Sequence, residues 1–122
     1  MQKNVLIVDD HPHIRRATRA IFENEPGFAV CGEAASGRDA IEKARELRPD
    51  LIILDFSMPG MNGLEAARLL KKILPEVPVI MLTAHENAFS DLVARAAGIS
   101  AVVSKDNSMN LVSQARVLLN PN

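Results

Sequence analysis

The sequence predicts an α/β fold of the doubly wound kind: a five-stranded parallel sheet with helices on both faces. Three observations carry this. Short apolar runs alternate with segments of helical period, five of each. After its asparagine, NVLIV (4–8) is apolar throughout, as are LIIL (51–54) and PVIML (78–82), instead of alternating; strands covered on both faces read this way. The 122 residues are enough for one domain with a core and too few for two typical ones.

Each element has its own signal. NVLIV is the first buried strand, followed by a helix over 12–25 that places Ile14, Ala17, Ile21 and Phe22 on one face. FAVCGEA (28–34) is a second, weaker strand. The helix over 37–48 carries Ala40, Ile41, Ala44 and Leu47 as its stripe. LIIL is the third strand, and a helix over 63–74 comes after a loop rich in Pro and Gly. PVIML is the fourth strand. The next helix, over 87–97, is ended by Gly98, which tolerates a left-handed cap. SAVVS (100–104) is the fifth strand, and Leu111, Val112, Ala115, Leu118 and Leu119 mark a last amphipathic helix.

Parallel sheets bind ligands at the carboxyl ends of their strands. There the first strand ends in Asp9 and Asp10, the third in Asp55, the fourth in Thr83 and the fifth in Ser104 and Lys105. Taken singly these residues read as caps, turns or a solvated lysine. Asp55 stands directly after four apolar residues, and a buried charge is costly unless paired or bound to a cation. Three carboxylates in one crevice are relieved either by a raised pKa on one of them or by a divalent ion. All-oxygen ligation favours a hard ion, magnesium or manganese. The set suits phosphoryl transfer. Asp55 is the candidate nucleophile, Asp10 the metal ligand with Asp9 beside it, and Thr83 and Lys105 the contacts to the transferred group.

Other features are blander. His11 and His13 read as surface residues at a helix start in preference to transition-metal ligands. Gly60 and Gly63 serve backbone geometry and the start of a helix. The sequence has no GxGxxG and no GxxxxGK[ST]. A net charge of -1 offers no basic footprint for nucleic acid or for a membrane surface. The single cysteine, Cys31, rules out an internal disulfide, reads as a small buried hydrophobe, and suits a reducing, cytosolic setting. The apolar run at the N-terminus is too short for a signal peptide or a membrane span.

VLIVDDHP, LIILDFSMPGMNG, PVIMLTA and the lysine at 105, in this order and approximate spacing, resemble the receiver domain of bacterial two-component response regulators. The resemblance covers essentially the whole chain. DDHP, the segment from Glu25 to Arg68 and LTAHE are most similar to receivers of the NarL/FixJ subfamily, which commonly carry a LuxR-type helix-turn-helix output domain. The resemblance implies a CheY-like fold with the flavodoxin-like strand order 2-1-3-4-5. It implies a signalling switch and not a turnover enzyme. A sensor histidine kinase transfers phosphate from its phosphohistidine to Asp55. Magnesium is held by Asp10, Asp55 and the backbone carbonyl of Ser57, with Asp9 acting through a water. Thr83 then moves toward the phosphoryl group, and the face of the fourth helix, fifth strand and fifth helix rearranges. Ser57 and His85 hold the positions that tune self-catalysed dephosphorylation. Two copies pair on phosphorylation, through helices 1 and 5 or the strand-5 face. Residues 1–122 form one cytoplasmic receiver that touches neither DNA nor membrane; it is either a stand-alone receiver or a piece of a longer regulator, in which case control of transcription would pass through an output domain absent from this chain.

Two positions depart from the family pattern. Val102 stands where a Tyr or Phe often couples to the threonine, and the chain has no Tyr or Trp. Asp106 follows the lysine where the family usually has proline, often in cis, so Lys105 is presented either on a strained bond or in another way. Three competing readings are weaker. A phosphatase of the haloacid-dehalogenase class usually has an Asp two residues after the nucleophile, where Ser57 stands, and needs room for a cap domain. A flavodoxin-like carrier needs phosphate-cradling loops and aromatics around the flavin. A scaffold-only receiver would not keep Asp9, Asp10, Asp55, Thr83 and Lys105 together.

Overall fold

A computed structural model of the chain describes residues 2–84 and 91–119. Strands β1 (Lys3–Val8), β2 (Phe28–Ala34), β3 (Leu51–Asp55), β4 (Val79–Thr83) and β5 (Ala101–Ser104) form one parallel sheet in the order β2-β1-β3-β4-β5. Helices α1 (Pro12–Glu23), α2 (Gly37–Leu47), α3 (Gly63–Ile73), α4 (Asp91–Ala96) and α5 (Asn110–Leu119) connect and follow the strands. The expected architecture and strand order both hold.

Successive strand residues point to opposite faces, so each apolar strand supplies two cores at once. Leu6, Val8, Ile52, Leu54 and Met81 face α2, α3 and α4. That layer is lined with Ala40, Ala44, Ala66 and Ala67, small residues that let helix backbones sit close to the sheet. Val5, Ile7, Leu51, Ile53, Ile80 and Leu82 face α1 and α5, where Phe22 and Leu111 fill the space. Phe22 meets Phe28 edge to face with ring centroids 5.1 Å apart.

Local chemistry sets the helix ends. The Ser36 hydroxyl accepts the Asp39 N–H at 3.1 Å to start α2. Asn62 and Glu65 form a reciprocal capping box on α3. Gly98, at φ +86, closes α4 as expected. Its N–H donates to the Arg95 carbonyl and the N–H of Ile99 to that of Ala94, the paired bonds of a left-handed cap.

Three details differ from the expectations. Helix α1 ends at Glu23 and buries Thr18 and Phe22, leaving Ala17 exposed. Thr18 can be buried because its hydroxyl donates to the Ile14 carbonyl at 3.0 Å. Cys31 is only half-buried. It is the extra residue of a bulge where β2 pairs with β1, and its thiol lies 3.5 Å from the Val5 carbonyl. Burial pushes the thiol pKa up, away from reactivity. Of the helix expected over 87–97, residues 87–90 lie outside the described residues, as does His85. No helix among the described residues is long and apolar enough to cross a membrane.

Candidate functional site

Strand register assembles the site. Val8 pairs with Leu54, so Asp9 and Asp55 leave the sheet side by side. Asp55 pairs with Leu82, and Thr83 with Ser104, which places the threonine and the lysine after Ser104 on the same edge. Asp55 and Asp9 are 1% and 2% exposed. Thr83 is buried at the end of β4. Ser57 is exposed, in the loop just beyond Asp55. That loop is tied back by the Gly63 N–H, which donates to the Phe56 carbonyl at 2.9 Å. A Cβ on Gly63 would lie 2.8 Å from the Asp55 carbonyl oxygen and from Phe56 Cα, so only glycine lets α3 begin this close to the strand end. The other loop glycine, Gly60, sits at φ +77.

Lys105 Nζ lies 2.7 Å from Asp55 Oδ1 and 3.8 Å from Asp9 Oδ2. The peptide bonds among the described residues are all trans. Lys105 instead opens a single turn of 3₁₀ helix, Lys105–Asn107, whose start is capped when the Asp106 N–H donates to Ser104 Oγ at 3.2 Å. A proline at 106 would have no N–H to give. Asp106 thus presents the lysine by a different local device. Val102 is partly buried against the core on the α2, α3 and α4 side.

The charges do not balance. Asp9, Asp10 and Asp55 carry three negative charges against the one ammonium of Lys105. Asp55 Oδ2, Asp9 Oδ2 and Asp10 Oδ1 are buried without a hydrogen-bond partner among the described residues, although Asp9 Oδ2 and Asp10 Oδ1 each have a cationic or ring nitrogen nearby. Burial raises the Asp55 carboxyl above its ordinary range. The Lys105 hydrogen bond opposes the rise, and the charges of Asp9 and Asp10 reinforce it. Ligand atoms of Asp9, Asp10, His11 and Asp55 all lie within 4.8 Å of one another. Unsatisfied hard oxygens with surplus negative charge are a donor set that fits a divalent cation.

Five of the residues expected at the site therefore share one edge: Asp9, Asp10, Asp55, Thr83 and Lys105. Ser57 adjoins it. Two further residues adjoin the site: His11, which reads in the sequence as a surface residue, and Arg15, which the sequence does not single out. His11 is half exposed at the start of α1, as expected, but its Nδ1 lies 3.1 Å from Asp9 Oδ1 and 3.0 Å from Asp10 Oδ1. Its backbone N–H also donates to Asp9 Oδ1 at 2.9 Å, so Asp9 serves as a turn residue as well. Pro12 at the first helical position was the available clue, since it makes His11 the capping residue. Arg15 donates from Nη1 to the Asp9 carbonyl at 2.8 Å and from Nε to Glu33 Oε1 at 2.7 Å.

Known proteins share this fold. A model of the response regulator receiver domain matches residues 5–116. The chain is 38% identical over 115 residues to the response regulator protein VraR of Staphylococcus saprophyticus, covering 94% of this chain and 55% of VraR. It thus spans about half the length of the curated relatives it matches. A two-component response regulator of the LuxR family from Aurantimonas superposes with a TM-score of 0.92 at 33% identity, over 100% of this chain and 88% of that one. CheY of Borrelia burgdorferi, solved as a CheX–CheY–BeF3–Mg complex, superposes with a TM-score of 0.87 at 25% identity, over 95% of this chain and 88% of that one.

Proposed function

We propose, from the premise that this chain belongs to the response regulator receiver domain family, that it is a phospho-accepting switch whose nucleophile is Asp55. The chain is a LuxR-type receiver of a two-component system, a signalling protein and not a turnover enzyme. Receivers of this family interact with histidine kinases and bind magnesium in an acidic pocket. One observation carries the assignment of Asp55. Its carboxylate is buried at a strand end, with Oδ1 on Lys105 and Oδ2 without a hydrogen-bond partner among the described residues.

Lys105 orients the carboxylate and leaves Oδ2 to attack. Oδ2 bonds to phosphorus as the P–N bond of the kinase phosphohistidine breaks, and the electron pair returns to the kinase imidazole. Lys105 and Thr83 contact oxygens of the transferred group. Asp10, Asp55 and the Ser57 carbonyl would hold magnesium, with Asp9 acting through a water; manganese suits the same donors. The ion supplies charge neutralisation for the phosphoryl oxygens. Burial of Asp9, Asp55 and Thr83 excludes bulk water, whereas exposed Ser57 leaves an approach for hydrolysis. The phosphoryl group adds negative charge and strong acceptors beside Thr83, enough to bias the segment that follows β4. Val102 replaces the usual aromatic, so coupling to the α4–β5–α5 face proceeds without an aromatic rotamer. Residues 1–122 act as one receiver domain in the cytoplasm. Two copies pair on phosphorylation, and contact with DNA is left to a separate output domain.

Intact-mass spectrometry after incubation with magnesium and acetyl phosphate tests this. One phosphoryl on the wild type and none on Asp55→Asn is the expected result. A phosphoryl on the same peptide of the variant would refute the nucleophile.

A further inference from the structure

We infer that His11 is a further metal-ligating side chain of the acidic pocket, one that opens it to zinc-like divalent ions as well as magnesium. The inference rests on reading the pocket as a cation site. Three observations lead to it. His11 Nδ1 stands 3.1 Å from Asp9 Oδ1 and 3.0 Å from Asp10 Oδ1, at the entrance to the buried carboxylates. A ring nitrogen of His11 falls within 4.8 Å of the ligand atoms of Asp9, Asp10 and Asp55. Asp9 and Asp55 are each at least nine-tenths buried, and Asp9 Oδ2 and Asp55 Oδ2 have no hydrogen-bond partner among the described residues.

The position of the imidazole is built in. His11 is the residue before the first turn of α1, Pro12 sets the helix start, and the Asp9 carboxylate receives the His11 backbone N–H. The ring is therefore held over the carboxylates by its own backbone.

Donor chemistry then decides the ion. Carboxylates alone favour magnesium or manganese, which prefer oxygen. Adding an imidazole makes a mixed oxygen and nitrogen set, which suits zinc, nickel or copper. Magnesium keeps its waters and gains little from the ring. Zinc gains a direct bond. Because both ions need Asp10 and Asp55, they compete, and His11 sets how well zinc displaces magnesium from the phosphoacceptor.

The test is calorimetric titration of tag-free protein with zinc and, separately, with magnesium, in the wild type and in His11→Ala, His11→Gln and His13→Ala. Ring-nitrogen NMR of the three histidines accompanies the zinc titration. His11→Ala and His11→Gln should weaken zinc by more than about tenfold and magnesium by less than about twofold, with His13→Ala unchanged. The His11 ring nitrogens should shift with zinc and not with magnesium. Retained magnesium affinity shows that the variants fold. Equal zinc affinity in wild type and both His11 variants, or an unmoved His11 ring, overturns the inference. An Asp10→Ala arm separates it from the reading beneath. Magnesium affinity unchanged there overturns the pocket itself, whereas magnesium lost there with zinc indifferent to His11 overturns only the histidine's role.

Discussion

Glu33 on β2 and Asp55 on β3 are carboxylates near the same edge of one sheet, and their surroundings push them in opposite directions. Burial alone would raise the Glu33 carboxyl, but hydrogen bonds from Arg19 at 2.6 Å and Arg15 at 2.7 Å outweigh it and hold it below the usual range. Lys43 Nζ donates to the Glu33 carbonyl as well. Asp55 is buried deeper, has one cation to two neighbouring carboxylates, and is held above the usual range. With Glu23 on Arg19 and Asp39 on Lys43, the first cluster sets three carboxylates against three cations, as a structural ion-pair network does. The second has no such balance, so the folded chain carries an electrostatic cost there that a bound cation relieves.

The contrast can be broken at its strongest point with Asp55→Asn. Phosphoryl incorporation should fall from one group to none, while the fold becomes more stable by about 1–3 kcal/mol in denaturant titration, because a buried, repelled charge is gone. A loss of stability would mean that Asp55 is as well satisfied as Glu33. Asp10→Ala should weaken magnesium by more than about tenfold in calorimetry, whereas Glu33→Gln should leave it unchanged. Saturating magnesium, at about 100 times its dissociation constant, should stabilise the wild type by about 2.7 kcal/mol and Asp10→Ala by much less at the same concentration.

Smaller effects sharpen the balanced side. Glu33→Gln should cost about 1 kcal/mol at pH 7. The sign with pH follows from the lowered Glu33 pKa. Its contribution is complete above the unfolded glutamate value of about 4.3 and is lost as pH falls through the still lower folded value. Urea titrations at neutral and acid pH should therefore find the wild type and Glu33→Gln converging in acid. The smallest effect concerns Arg15, which touches both regions. A double-mutant cycle of Arg15→Met with Glu33→Gln should show a coupling of about 0.5 kcal/mol or more, and additivity would mean that Arg15 serves the Asp9 carbonyl alone.

Much of this was legible in the chain. Continuous apolar runs announced strands covered on both faces, and the β2 boundaries came out residue for residue at 28–34. Asp9, Asp10, Asp55, Thr83 and Lys105 were readable because parallel strands deliver their carboxyl ends to one edge. Helix α1 was less legible, because its alanines allow more than one stripe and Thr18 hides its hydroxyl in its own backbone. The presentation of Lys105 was open until Ser104 was seen to cap the turn.

By itself the sequence determined the fold class, the order of elements and which residues collect at the strand ends, since hydrophobic period and turn chemistry are local properties. Only the tertiary structure decided the electrostatics. Register set Asp9 beside Asp55, burial removed the water that would have screened them, and the start of α1 turned His11 onto the acidic pair. Charge interactions depend on distance and on the surrounding medium, and neither exists until strands far apart in the chain are packed together.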